Sequence, residues 1–350
     1  MPTELRPSET LAPPAALPRR LGLAAATAVV VGEVVGIGIF LTPSEMARSL
    51  ASPFWLFAAW GAAGLVSICG ALCFGALAAR HPEDGGAYVY LRRAFGPRVA
   101  FQYGWMSLLV TDPGITAAMA TGLATYAASL VPMSALGMKL TAIGAILLAA
   151  GANVVGLRAG AGILQGLTAL KLGLLAAIAA WGFGMGTGSW SHFRPFVERP
   201  ADAPPLASAM VGGLLAAFFS LAGWWDVSKL AGEARDPGRT LPRALILGVG
   251  LVTLAYMVVS AAFWYLVPLS GVDSGRGFAA QAGEAMFGAA GGRVFAAVVI
   301  VSVMGSLVGL LMAAPRGYYA MARDGLFPAW LAAVHPRLGT PARAVAIQAV

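Results

Sequence analysis

Charge is scarce in this chain. Only 11% of its 350 residues are Asp, Glu, Lys or Arg, against about a quarter in a typical soluble domain, which excludes a water-solvated globule. Cysteine is rarer still. Cys69 and Cys73, one turn apart on an expected helix, make no disulfide framework and read as small packing residues. The three histidines, His81, His192 and His335, all fall in expected loops. Neither a metal cluster nor an intramembrane catalytic pair can be built from them, so no cofactor, no metal and no enzymatic activity is expected.

What the chain does hold is apolar surface. Hydrophobic residues make up 59% of it, in recurring runs of about twenty, the length that crosses a bilayer as a helix. The expected fold is an all-α polytopic membrane protein. Spans are expected at roughly 21–47, 54–79, 101–131, 138–156, 163–186, 207–230, 243–268 and 290–321. From Pro341 to Val350 a further apolar run begins and stops short of a span, so the sequence reads as truncated after about eight helices. Arg19 and Arg20 before an apolar run look like a signal peptide, but the run is long and carries Glu33, and an uncleaved first helix is expected.

The distribution of basic residues sets the orientation. With a cytoplasmic N-terminus, Arg48, Lys139, Arg194, Arg199, Arg276 and Arg293 face outward, Lys171 lies within a span, and all other Lys and Arg face inward. The formal charge of +8 then reflects topology and contact with anionic lipid, not a nucleic-acid surface. Residues 1–20, proline-rich and poor in apolar side chains, are expected to be a disordered cytoplasmic tail. The expected location is the cell membrane, and nothing in the sequence bears on a partner subunit.

Two spans are interrupted in the same manner. One reads Val35-Gly36-Ile37-Gly38-Ile39-Phe40 and the other Phe219-Ser220-Leu221-Ala222-Gly223-Trp224-Trp225-Asp226. Backbone at membrane depth that leaves α geometry exposes N–H and C=O groups, and these persist only where protein, water or a polar ligand satisfies them. The restarting half offers N–H groups and a positive dipole end, and the half that stops offers carbonyls. An α-amino acid carries both complementary charges. Its carboxylate fits the N–H groups of Ile37, Gly38 and Ile39, and its ammonium the carbonyls near Gly36, Phe219, Ser220 and Ala222, with Gly223 giving the second break its freedom. Phe219 is expected to cover the substrate. The bland alternative for the first break is a kink or a close helix contact.

The start of one broken span lies five spans from the start of the other, an odd number, so a second copy would enter from the opposite side, as in an inverted repeat. Residues 21–186 would form the first five-helix repeat, 187–206 an external loop, and 207–350 an incomplete second repeat.

These segments, with Gly85-Gly86-Ala87-Tyr88-Val89-Tyr90, Glu233-Ala234-Arg235-Asp236-Pro237, Pro242-Arg243 and Ala322-Arg323-Asp324-Gly325-Leu326-Phe327-Pro328, resemble the amino acid-polyamine-organocation superfamily, close to its L-type and basic amino acid branches. The resemblance covers nearly the whole chain. It implies a twelve-helix permease with a five-plus-five inverted-repeat core, substrate at the breaks of helices one and six, and alternating access; the sequence departs from that plan by ending after about eight helices.

Four of the charges inside expected spans carry a functional reading. Lys171 either snorkels or, as the resemblance implies, places its ammonium where related symporters hold sodium, bridging helix one to the bundle; that implies sodium-independent transport by proton coupling or exchange. Glu33 faces an inner vestibule, carries a proton or pairs with a cation. Asp112 sits at an expected proline break and lines the pathway or a solvated gap, and Asp226 forms either a gate or an ion pair with Lys229, three residues on. Glu233, Arg235, Arg239, Arg243 and Arg323 read as gate or scaffold charges, and the aromatics and arginines of 85–97 as an interfacial segment.

The expected function is sodium-independent secondary transport of an amino acid. The absence of an acid just before Gly223 favours neutral substrates, while Glu33 and Asp112 keep a polyamine or cationic amino acid antiporter in view. A nutrient sensor on the same scaffold is the alternative of another class. A channel is disfavoured, because the spans hold too few polar faces to line a continuous path.

Overall fold

The computed structural model describes residues 17–155, 157–272 and 278–349. The expected tail to residue 16 lies outside them. Its expected last residues do not behave as a tail: Leu17 is buried, and the Arg20 and Leu21 N–H groups each donate to the Glu233 carbonyl at 2.8 Å.

The described elements are α1 (Leu23–Val34), α2 (Gly38–Leu50), α3 (Pro53–Arg80), α4 (Ala87–Phe95), α5 (Pro97–Met106), α6 (Asp112–Leu130), α7 (Ala135–Val154), α8 (Leu157–Gly184), α9 (Leu206–Leu221), α10 (Pro237–Leu266), α11 (Phe278–Phe287), α12 (Gly291–Arg323) and α13 (Ala342–Ala349). Prolines open α3, α5 and α10, where a missing N–H costs nothing. Six helical stretches among the described residues are long and apolar enough to cross a membrane. The first span is not among them, its helix before the break, Leu23–Val34, being short, and neither is the third. In the third, no gap opens at Pro113: a π turn, Ser107–Thr111, carries α5 into α6, and the wide turn absorbs the donor that proline lacks.

Packing follows the inverted plan. Helix α3 packs on α10 and α6 on α12, each against its counterpart five spans later, while α1 on α10 is mirrored by α9 on α3. At the centre stands α12, with 72% of its apolar window buried, against 22% for α7 at the rim. Leu147 and Leu148 of α7 are exposed, as lipid-facing leucines are when water supplies no drive to bury them. Cys69 and Cys73 are likewise exposed and free, not packed as expected.

The segment after α3 also differs from expectation. Tyr88 and Tyr90 of α4 are buried, Tyr88 donating to Asp324 at 2.7 Å. Arg92 pairs with Asp324, and Arg93 with Glu83 at 2.6 Å. Amphipathic sequence predicts a headgroup-level helix, but here its carboxylate partners lie within the protein and draw it onto α12.

Candidate functional site

The first break spans Val35, Gly36 and Ile37. Helix α1 ends at Val34, Val35 takes a non-helical ψ of 78°, and α2 starts at Gly38. The second break is two residues long. Helix α9 ends at Leu221, Ala222 is extended, and Gly223 adopts a φ of 101°, open to glycine at low cost, before a 3-10 segment runs from Trp224 to Glu233.

The two breaks lie side by side. Tyr256 of α10 reaches both, its hydroxyl 2.9 Å from the Val34 carbonyl and 3.3 Å from that of Ser220. Just beyond them, Thr42 and Ser220 share a hydrogen bond of 2.7 Å. A Cβ placed on Gly38 would stand 2.8 Å from the Ser220 Cα, so a side chain there has to push backbone apart. Gly38→Val is therefore expected to force α2 from α9 and to lower uptake by at least about tenfold, the equivalent of roughly 1.4 kcal/mol. Gly22→Ala, with nothing within 4 Å of the new methyl, is the control; equal uptake rates for the two variants would refute the close-approach argument.

The poles of the first break differ. Its carbonyl end is occupied: Lys171 Nζ donates to the Gly32 and Val35 carbonyls, both at 2.8 Å, and to Ser306 Oγ at 3.0 Å. Ser302 donates to the Val35 carbonyl at 3.0 Å, and Ser306 Oγ lies 2.8 Å from that of Gly32. Lys171 is 1% exposed and does not snorkel. The other pole is the start of α2, where the N–H groups of Ile37, Gly38 and Ile39 come before any intrahelical acceptor. Phe219 is 64% exposed while Ser220 beside it is buried; in this conformation the ring covers neither break.

Below the breaks, on the side where the N-terminal segment lies, charges are buried in pairs. Lys229 Nζ is 3.1 Å from Asp226 and 3.7 Å from Asp112, and Asp112 also accepts the Tyr318 hydroxyl at 2.7 Å. Asp226 and Asp112 are thus brought together around one lysine from separate elements. Deeper toward that face, Arg316 of α12 meets Glu233 at 2.6 Å with both side chains almost fully enclosed. Asp84 accepts from the Gly232 N–H at 3.0 Å, and burial, reinforced by the negative charge of Glu233, pushes its carboxyl up to about 7 against the pulls of Arg316 and that N–H. Glu33 is buried beside Gly223 and Gly309, not turned to an open vestibule.

Sequence reasoning missed Tyr256, Ser302, Ser306 and the Glu233–Arg316 pair. Ser302 and Ser306 carried a signal, two hydroxyls one turn apart on one face of an otherwise apolar helix. Tyr256 carried none, since a tyrosine in a span is unremarkable until its partners are known.

A family model described as amino acid permease matches residues 21–350. The "Serine/threonine exchanger SteT" of Bacillus subtilis is 30% identical over 337 residues, which are 95% of this chain and 75% of that protein. An uncharacterized transporter of Mycobacterium tuberculosis is 32% identical, covering 97% of this chain and 74% of its own length. The "b(0,+)-type amino acid transporter 1" of Rattus norvegicus is 29% identical over 94% and 68% of the two chains. Among solved structures, Mhp1, a nucleobase-cation-symport-1 family transporter in a closed conformation with bromovinylhydantoin bound, aligns with a TM-score of 0.63 at 15% identity, covering 97% of this chain and 73% of that one.

Proposed function

This chain belongs to the amino acid permease family, and from that premise we propose that it is a sodium-independent secondary transporter that binds a zwitterionic amino acid at the paired breaks. The carrying observation is the division of labour at the first break. Lys171 fills the carbonyl pole with a fixed cation, which removes the need for a bound metal ion there, while the N–H groups at the start of α2 are positioned for a carboxylate. The substrate's ammonium falls to the carbonyls of the second break, on the side of Ser220 and Ala222. Since the Tyr256 hydroxyl already lies 3.3 Å from the Ser220 carbonyl, the neighbouring carbonyls carry most of that contact.

Neutral substrates are favoured because Ala222 stands before Gly223 and Asp112 and Asp226 face Lys229 rather than the breaks. Phe219 would cover the substrate only after turning over the second break, as closure in alternating access requires. A cell-membrane location with the N-terminus cytoplasmic fits the basic-residue distribution. The buried Asp112, Asp226 and Lys229 cluster then closes the inner side.

Uptake of labelled serine, threonine, leucine, lysine and putrescine into proteoliposomes tests the proposal. Neutral amino acids are expected to enter saturably, at equal rates in sodium and in choline medium. Sodium-dependent uptake would overturn the role of Lys171, preference for lysine or putrescine would overturn the substrate class, and saturable binding without flux would make the protein a sensor.

A further inference from the structure

The charged groups beneath the breaks do not balance. Facing Glu33 are Lys171 from α8, Asp226 and Lys229 from the 3-10 segment and Asp112 from α6, all of them buried. The other elements against α1 add no free charge: α10 contributes Tyr256, which donates to the Val34 carbonyl, and α12 contributes Tyr318, which donates to Asp112, and Arg316, which is paired with Glu233. Fully ionised, three carboxylates would face two ammonium groups. A low-dielectric interior does not hold an unpaired charge when a proton can remove it.

Contacts decide where that proton sits. Among the described residues Asp226 Oδ1 makes no hydrogen bond but has the Lys229 ammonium 3.1 Å away, and Asp112 faces the same ammonium at 3.7 Å and accepts a tyrosine hydroxyl besides. Lys171 is spent on main-chain carbonyls and Ser306. Glu33 Oε1, among the described residues, has no hydrogen-bond partner. Its room is made by two glycines: a Cβ on Gly309 of α12 would collide with Oε1, and one on Gly223 would come 3.3 Å from the Glu33 Cβ. The carboxyl therefore lies against Gly309 of α12, on a stem whose Cβ packs beside Gly223 of the second break and which grows from the helix that ends at the first.

We infer that Glu33 is the proton-carrying group of this transporter, so that each amino acid moves together with one proton. The inference rests on the reading of the breaks as the amino acid site. Glu33 takes a proton from water on the side to which the breaks are open, stays neutral while enclosed between Gly223 and Gly309, and gives the proton to water on the other side once the helices part. Only the proton changes hands.

The test compares wild type with Glu33→Gln in proteoliposomes holding a pH indicator, using labelled serine and threonine. In wild type, an inward proton gradient is expected to drive accumulation, with one proton entering per amino acid. In Glu33→Gln, the ratio of gradient-driven accumulation to equilibrium exchange is expected to fall at least tenfold. Exchange, measured in the same vesicles, reports on the amino acid site itself, so loss of exchange counts against the functional reading, and intact gradient-driven accumulation counts against Glu33. A measurement independent of transport is the infrared carbonyl stretch of a protonated carboxylic acid in the purified wild-type protein, recorded well above pH 7 so that the Asp84 carboxyl, pushed up to about 7, is ionised; that band is expected to vanish in Glu33→Gln and to persist in Asp112→Asn. Absence of that band in wild type, or wild-type uptake without proton movement, would overturn the inference whether or not the variant folds.

Discussion

Replacing Lys171 with alanine is expected to reduce amino acid uptake by one to two orders of magnitude. The ammonium joins the Gly32 and Val35 carbonyls at the end of α1 to Ser306 on α12, so it fixes the angle at which the first broken helix meets the core. Hydrogen bonds to a charged group contribute about 1.5–3 kcal/mol each, and a difference of roughly 1.4 kcal/mol is already tenfold in an equilibrium. Ser302 and Ser306 still cover the carbonyls in the variant, which limits the damage to folding and concentrates it on the position of α1. Lys171→Arg is not expected to rescue, because a planar guanidinium does not fit a site shaped for a compact, three-donor ammonium. Initial uptake rates in sodium and choline media decide the matter, and transport by Lys171→Ala equal to wild type would reject the role.

Arg316→Met is expected to be the most destabilising single change on the N-terminal side. It leaves the Glu233 carboxylate, whose side chain is 0% exposed, without its partner, and breaking a buried pair in this way costs about 3–5 kcal/mol. Glu233 is also where the main chain gathers: its carbonyl accepts from Arg20 and Leu21, while Arg235 donates back to the Leu21 carbonyl at 3.0 Å. Loss of the pair should therefore loosen the N-terminal segment and the end of the 3-10 segment together. The double variant Glu233→Gln, Arg316→Met is expected to recover most of the loss, since the uncompensated charge is gone. Thermal unfolding in detergent, followed by size-exclusion chromatography, reads both effects. A single variant as stable as wild type, or a double variant no better than the single, would show that the charge imbalance is not what matters.

The sequence by itself determined the membrane class, the order of the spans and the positions of both breaks. Apolar length and glycine-permitted backbone are local properties, and Val35–Phe40 and Phe219–Asp226 announce themselves without any knowledge of neighbours. The same locality misled at Tyr88 and Arg92, where amphipathic composition suggested a headgroup-level helix and Asp324, more than two hundred residues away, supplied the true partner. Which carbonyls Lys171 reaches, that Tyr256 bridges Val34 to Ser220, and that Glu33 Oε1 is left without a hydrogen bond among the described residues were decided only by tertiary structure. A buried charge takes its meaning from the groups within about 4 Å of it, and in a bundle of helices those groups come from distant spans.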